Sequence, residues 1–208
     1  MPQSQAAVAD ALAEALESQR PVRIVREHDW WAEEVRGFVV GISGDWVALH
    51  RLMDTAYIDG YDIVRLQDVT ELDHDDDDKA AYTERAIAGL GRPAVGFRLP
   101  PSATTPAVLH AAADSAQLIV VHTEATDEDA LLIGHLCRLG AEEFDIHLIG
   151  PEGHWSREPG QWRFEDVTRI VFHDRYSTAL ARYGDTRPAV HAGSARDGSL
   201  LCNCVVEP

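Results

Sequence analysis

The chain has 208 residues, 45% hydrophobic and 25% charged, a composition that excludes global disorder. Asp and Glu number 35 against 18 Lys and Arg, a formal net charge of −17, so the long-range field repels nucleic acid and anionic membrane surfaces. No run of about 18 apolar residues is present to span a membrane, and the N-terminal MPQSQAAVAD lacks a basic n-region and a continuous apolar stretch, which together give the expectation of a cytoplasmic protein.

In chain order, residues 3–19 read as a helix, with Ala7, Val8, Leu12 and Leu16 on one face and Pro21 ending it. Val22–Val25 is expected to be a strand, and His28–Glu34 a polar turn carrying Trp30 and Trp31. Val35–Ile42 and Trp46–His50 are strands separated by the Ser43-Gly44-Asp45 turn. Ile58–Val64 is a further strand with Gly60 inside it, the mark of a bend, and Asp68–Leu72 closes the unit. His74–Lys79 reads as a solvated acidic loop, followed by a helix over 80–90 and a segment, Val95–Leu99, that could add a strand. Thr105 and Pro106 start a second helix through Ala113. The strand Leu118–Val121, β-rich stretches at 131–139, 144–149 and 161–172, and a helix at Tyr176–Tyr183 follow.

The second half reads as a diverged copy of the first. Gly37 overlays Gly134, 97 positions on (134 − 37); Val47–Leu49 overlays Ile146–Leu148; Asp68-Val-Thr70 overlays Asp166-Val-Thr168; and Tyr82 overlays Tyr176.

Gly37-Phe-Val-Val-Gly-Ile-Ser-Gly-Asp45-Trp-Val-Ala-Leu49 resembles the first motif of the Sm-like (Sm, LSm and Hfq) proteins, and Ile58-Asp-Gly60-Tyr-Asp-Ile-Val64 is similar to the second. The resemblance covers roughly residues 3–72 and, more weakly, 105–172. It implies bent five-stranded barrels, ring oligomers built by edge-strand pairing, and RNA held near the pore. The expected fold is therefore mainly β with flanking helices (α+β): two tandem Sm-like, SH3-like barrels each preceded by a helix, over residues 1–92 and 93–185, with a tail at 186–208. The sequence departs from the family at the RNA contact. Asp59 stands where RNA-binding members carry a basic residue before the motif glycine, the second copy offers Glu158-Pro159-Gly160, and Ser43 replaces an acidic residue.

Candidate sites are few. Trp30 and Trp31 are adjacent, so on a strand one of them faces away from the core and can anchor an interface; Asp59, Gly60 and Tyr61 complete the candidate interface set. Cys202 and Cys204 form a C-x-C pair able to hold a soft metal, but no second spaced pair accompanies it, and the ten histidines form no H-E-x-x-H arrangement. The three cysteines, Cys137 included, make no disulfide framework, and no cofactor is expected. The expected function is a non-enzymatic, acidic protein-interaction, regulatory or assembly module, self-associating or binding a protein partner; one version is an inhibitor whose acidic face meets a basic partner. Two alternatives stand beside it. One is RNA binding through Arg20, Arg23, Arg26 and Arg36, and the other a metal-dependent enzyme or metal-binding protein using the His and Cys residues.

Overall fold

The computed structural model describes residues 3–28, 31–124, 126, 131–188 and 199–200. Helix α1 (Gln5–Ser18) opens with the Ser4 hydroxyl accepting from the Ala7 N–H and ends at Gln19 in the left-handed region (φ 53°). Its Val8, Leu12 and Ala15 lie along one stripe and are buried. Five strands follow: β1 (Pro21–His28), β2 (Trp31–Ser43), β3 (Trp46–Met53), β4 (Tyr57–Arg65) and, after a 3₁₀ turn at Leu66–Asp68, β5 (Val69–His74). Helix α2 (Asp77–Leu90) leads into an irregular segment and then α3 (Thr105–Ser115). Next come β6 (Ile119–His122), β7 (Leu131–Leu139), β8 (Glu143–Leu148), β9 (Gly160–Arg163), a second 3₁₀ turn at Phe164–Asp166, β10 (Arg169–Phe172), α4 (Arg175–Tyr183) and the short β11 (Ser199–Leu200).

All strand pairs are antiparallel and belong to one sheet, ordered β5-β1-β2-β3-β4-β10-β6-β7-β8-β9, with β11 beside β7. The connectivity is the same on each side of the β4·β10 joint, because the fifth strand of each half returns beside its first. The apolar stripe of α1 meets Val22, Ile24, Val35, Val39, Leu49 and Leu72 on one face of the first half. In the second half, α3 sets Val108, Leu109 and Ala112 against Ile119, Leu136, Phe144 and Ile170. α2 and α4 take the opposite face, Ile87 against Phe38 and Leu52, and Leu180 against Leu118, Val120 and Val171.

One close approach recurs. A Cβ at Gly37 would run into the His50 carbonyl oxygen, and one at Gly134 into that of His147, so a side chain fits at neither point where the bent second strand crosses the third. Both second strands are bulged just beyond, between Val39 and Gly41 and between Leu136 and Arg138.

Several sequence expectations are corrected here. Val39 pairs with Leu49, and Leu136 with Ile146, so Leu49 corresponds to Ile146, and the overlay of Val47–Leu49 on Ile146–Leu148 is two residues out of register. Leu49 pairs with Asp62 and Ile146 with Gly160, so Gly160 answers to Asp62 and not to the motif Gly60. Asp76 and Asp174 cap α2 and α4, which aligns Lys79 with Ser177 and leaves Tyr82 and Tyr176 at unlike positions. Of the expected polar turn His28–Glu34, His28 ends β1 and Trp31–Glu34 belong to β2, with His28 opposite Trp31, because the alternation of β1 carries on through Arg26. Val95–Leu99 forms no strand. The acidic run at 74–79 is no free loop: the Asp75 carboxylate is nearly buried between Arg36 (2.6 Å) and Lys79 (2.9 Å), and Asp76 accepts from the Lys79 N–H.

Candidate functional site

The joint between the halves is a ladder in which Arg169, Ile170, Val171 and Phe172 of β10 face Val64, Ile63, Asp62 and Tyr61 of β4. Beneath it lies a buried ionic cluster. Arg169 donates from Nε to Asp62 Oδ1 (2.8 Å) and from its terminal nitrogens to Asp62 Oδ2 (2.5 Å) and to Glu33. Arg26 is fully buried, although β1 alternation would put an apolar residue there; it reaches Glu33 (2.9 Å), Glu124 (3.5 Å) and the Thr168 carbonyl (3.3 Å). Thr168 and His122 (3.1 Å) also hydrogen-bond to Glu124. Burial alone would raise the pKa of Asp62, but the charge and hydrogen bonds of Arg169 bring it below its ordinary value. Burial likewise works against an ionised Glu124, and the His122 hydrogen bond and the Arg26 charge overcome it, so this carboxyl too is lowered. Arg169 is pulled down by burial and pushed up further by Asp62 and Glu33. Asp62, Glu124 and Arg169 are thus charged at neutral pH, and the cluster joins residues from both halves.

Asp59, Gly60 and Tyr61 all sit at this joint. The Asp59 carboxylate accepts from the Arg175 N–H (2.9 Å) at the start of α4. Gly60 has φ 75°, and a Cβ there would run into the Phe172 carbonyl oxygen. Tyr61 is buried; its ring lies among His50, Phe97 and Phe172, and its hydroxyl accepts from the Gly96 and Phe97 N–H groups. Trp31 is the first residue of β2, its side chain and all of Trp30 lie outside the described residues, and so do Cys202 and Cys204.

Three of the four arginines of the RNA alternative are engaged with carboxylates. Arg23 meets Glu34 (2.7 Å) and Asp73, Arg36 meets Asp75, and Arg26 is inside the cluster; Arg20 also has a partner. Among the described residues no group of three or more His, Cys, Asp or Glu is placed to hold a metal. His147 is buried and donates from Nε2 to the Ser156 carbonyl (2.7 Å), and His135, opposite it, donates to the Gln117 carbonyl. A serine–histidine pair that the sequence does not reveal, Ser115 Oγ to His173 Nε2 (3.1 Å), lies in a shallow cleft beside α4, but the neighbouring Asp174 spends its carboxylate on capping α4, and among the described residues no acid orients the imidazole.

The remaining candidate surfaces are the two ends of the sheet. Among the described residues β9 pairs only with β8, and β5 only with β1. The Phe164 N–H donates to the Glu142 carbonyl, so by antiparallel alternation Trp162 bonds to β8 while Gln161 and Arg163 turn their backbone groups outward. At the inner joint the Leu66 N–H donates to the Asp45 carbonyl, which turns Ile63 and Arg65 of β4 outward in the same way, and there they meet β10. Sequence reading missed both the ionic cluster and these outward rows; the corrected register that aligns Asp62 with Gly160 would have located β9 as the counterpart of β4. No family model, no curated protein and no solved structure matches this chain.

Proposed function

We propose that the chain is a tandem of two Sm-like barrels acting as a non-enzymatic, acidic assembly module, and that its protein partner is a second copy of itself, added strand to strand at the ends of the sheet. The observation that carries this reading is the β4·β10 joint: the chain already joins one five-stranded unit to the next through the fourth strand of one and the fifth strand of the other. The same two strand positions, β9 and β5, stand at the outer ends. Each unit also has a leading helix, a 3₁₀ turn before its fifth strand and a trailing helix on the opposite face, as expected of a tandem. An open edge is a template for another strand, and a head-to-tail contact that repeats is the natural use of two unlike edges.

The test is the solution mass of the full chain at rising protein concentration beside a Gln161→Pro variant. Proline removes an N–H that points away from β8, so the fold is kept while the outer ladder is broken. Wild-type mass is expected to climb from 22.9 kDa in whole-chain steps, and the variant to stay at one chain. A wild type that remains a single chain at millimolar concentration, or a variant that associates equally well, overturns the assembly reading. The RNA alternative predicts instead a gel shift with single-stranded RNA that fades steeply with salt.

A further inference from the structure

The two outer edges are not alike: among the described residues the outward backbone groups of β9 have no backbone partner, whereas β5 is covered by Gln3. The Gln3 N–H donates to the Thr70 carbonyl (3.0 Å), the Gln3 side-chain Nε2 donates to the Leu72 carbonyl (3.2 Å), and Gln3 Oε1 accepts from the Leu72 N–H (3.2 Å). Thr70 and Leu72 correspond to Thr168 and Ile170 of β10, and the correspondence is fixed by a shared contact: Thr70 Oγ1 donates to the Val25 carbonyl as Thr168 Oγ1 donates to that of His122. At the inner joint the Thr168 carbonyl accepts from the Arg65 N–H (3.2 Å), and Ile170 faces Ile63, two residues along the ladder and therefore again a hydrogen-bonding pair. One glutamine thus reproduces on β5 what two residues of β4 do on β10. Its backbone stands in for Arg65, and its amide group, donor and acceptor together, stands in for Ile63.

From this we infer that Gln3 is a displaceable guard on the β5 edge, and that the occupant it holds off is β9 of a second copy. The inference rests on the head-to-tail reading above and adds its regulation. In the guarded chain the Thr70 carbonyl and both backbone groups of Leu72 are taken, so this stretch of β5 recruits no strand; when Gln3 leaves, the incoming β9 sets the Arg163 N–H on the Thr70 carbonyl and Gln161 opposite Leu72. The outer joint is built to be reversible. The ion pair of the inner joint has no counterpart there, since Asp62 is replaced by Gly160 and Arg169 by Glu71. With backbone bonds carrying the contact, three competing hydrogen bonds from Gln3 suffice to shift the balance.

The experiment is sedimentation velocity on the full chain as wild type, Gln3→Ala, Gln3→Glu, and Gln3→Ala combined with Gln161→Pro, with amide exchange at Leu72 followed in parallel. Gln3→Ala is expected to associate at a protein concentration at least about tenfold lower than wild type. Its Leu72 amide should exchange faster in the single chain and slow again on assembly, and the double variant should return to one chain. Gln3→Glu keeps the size of the side chain while losing the donor to the Leu72 carbonyl, and serves as the readout if the alanine variant fails to fold. Association unchanged in both Gln3 variants, while Gln161→Pro still abolishes that of the wild type, overturns the guard and leaves the head-to-tail contact standing. Single chains throughout, with a faster Leu72 amide in Gln3→Ala, overturn the head-to-tail contact and the guard with it. Association that survives Gln161→Pro in the Gln3→Ala background assigns the contact to another surface and overturns the guard.

Discussion

His50 is a buried imidazole with an awkward position: its ring packs 4.5 Å from that of Tyr61, and its Nδ1 has no hydrogen-bond partner among the described residues. Burial, helped by the Arg92 charge, lowers its pKa from 6.5 to about 4. The unfolded chain therefore takes up a proton at this residue before the folded chain does, and stability falls as pH drops from 6.5 towards 4. The full penalty is roughly 3 kcal/mol. A His50→Phe variant keeps a ring against Tyr61 and cannot titrate, so urea midpoints measured across that window are expected to flatten; a slope equal to that of the wild type would assign the pH dependence elsewhere. The carboxyls of Asp62 and Glu124, both lowered, act in the next window down. Their contribution is present at neutral pH and is lost as pH falls below about 4 and through their folded values.

At the level of elements, the β4·β10 joint depends on a charge pair that cannot be broken singly. Asp62→Asn leaves the buried Arg169 short of a counter-charge and is expected to cost about 3–5 kcal/mol in chemical denaturation, whereas Asp62→Leu with Arg169→Met is expected to recover most of that loss. A single variant as stable as the wild type would show that the ion pair contributes nothing to the joint. Many elements were readable from the chain, since Pro21 and the Ser43-Gly44 turn, with Gly44 at φ 55°, act through local sterics; Thr105, expected to cap α3, is instead its first residue, and Thr104 holds the cap position without a side-chain hydrogen bond. Register was less readable. Val47 and Phe144 are equally good apolar matches to several neighbours, and only pairing across the sheet, with Gly37 against the His50 carbonyl and Gly134 against that of His147, fixes the alignment. On the sequence alone Arg26 offers a phosphate contact, because alternation tells which way a residue points but neither that Glu33 will stand opposite it across the β1–β2 pair nor that Glu124, distant in sequence, will meet it. Gln3 was invisible for the same reason: its partners Thr70 and Leu72 come to it only through the return of β5 beside α1.

For the whole molecule the net charge of −17 decides the salt response. Two copies approaching end to end repel one another over a distance that shortens to about 10 Å at 0.1 M salt, so self-association is expected to strengthen as salt rises, the opposite of phosphate binding. Light scattering across a salt series separates the two, and weakening of the oligomer with added salt would count against backbone-led assembly. No helix among the described residues is long and apolar enough to cross a membrane. The fused joint has a last consequence, one of parity. Because every chain contributes its five-stranded units two at a time, any ring closed by this protein holds an even number of them, with salt-bridged and bridge-free seams alternating around it, and dilution would open only every second seam.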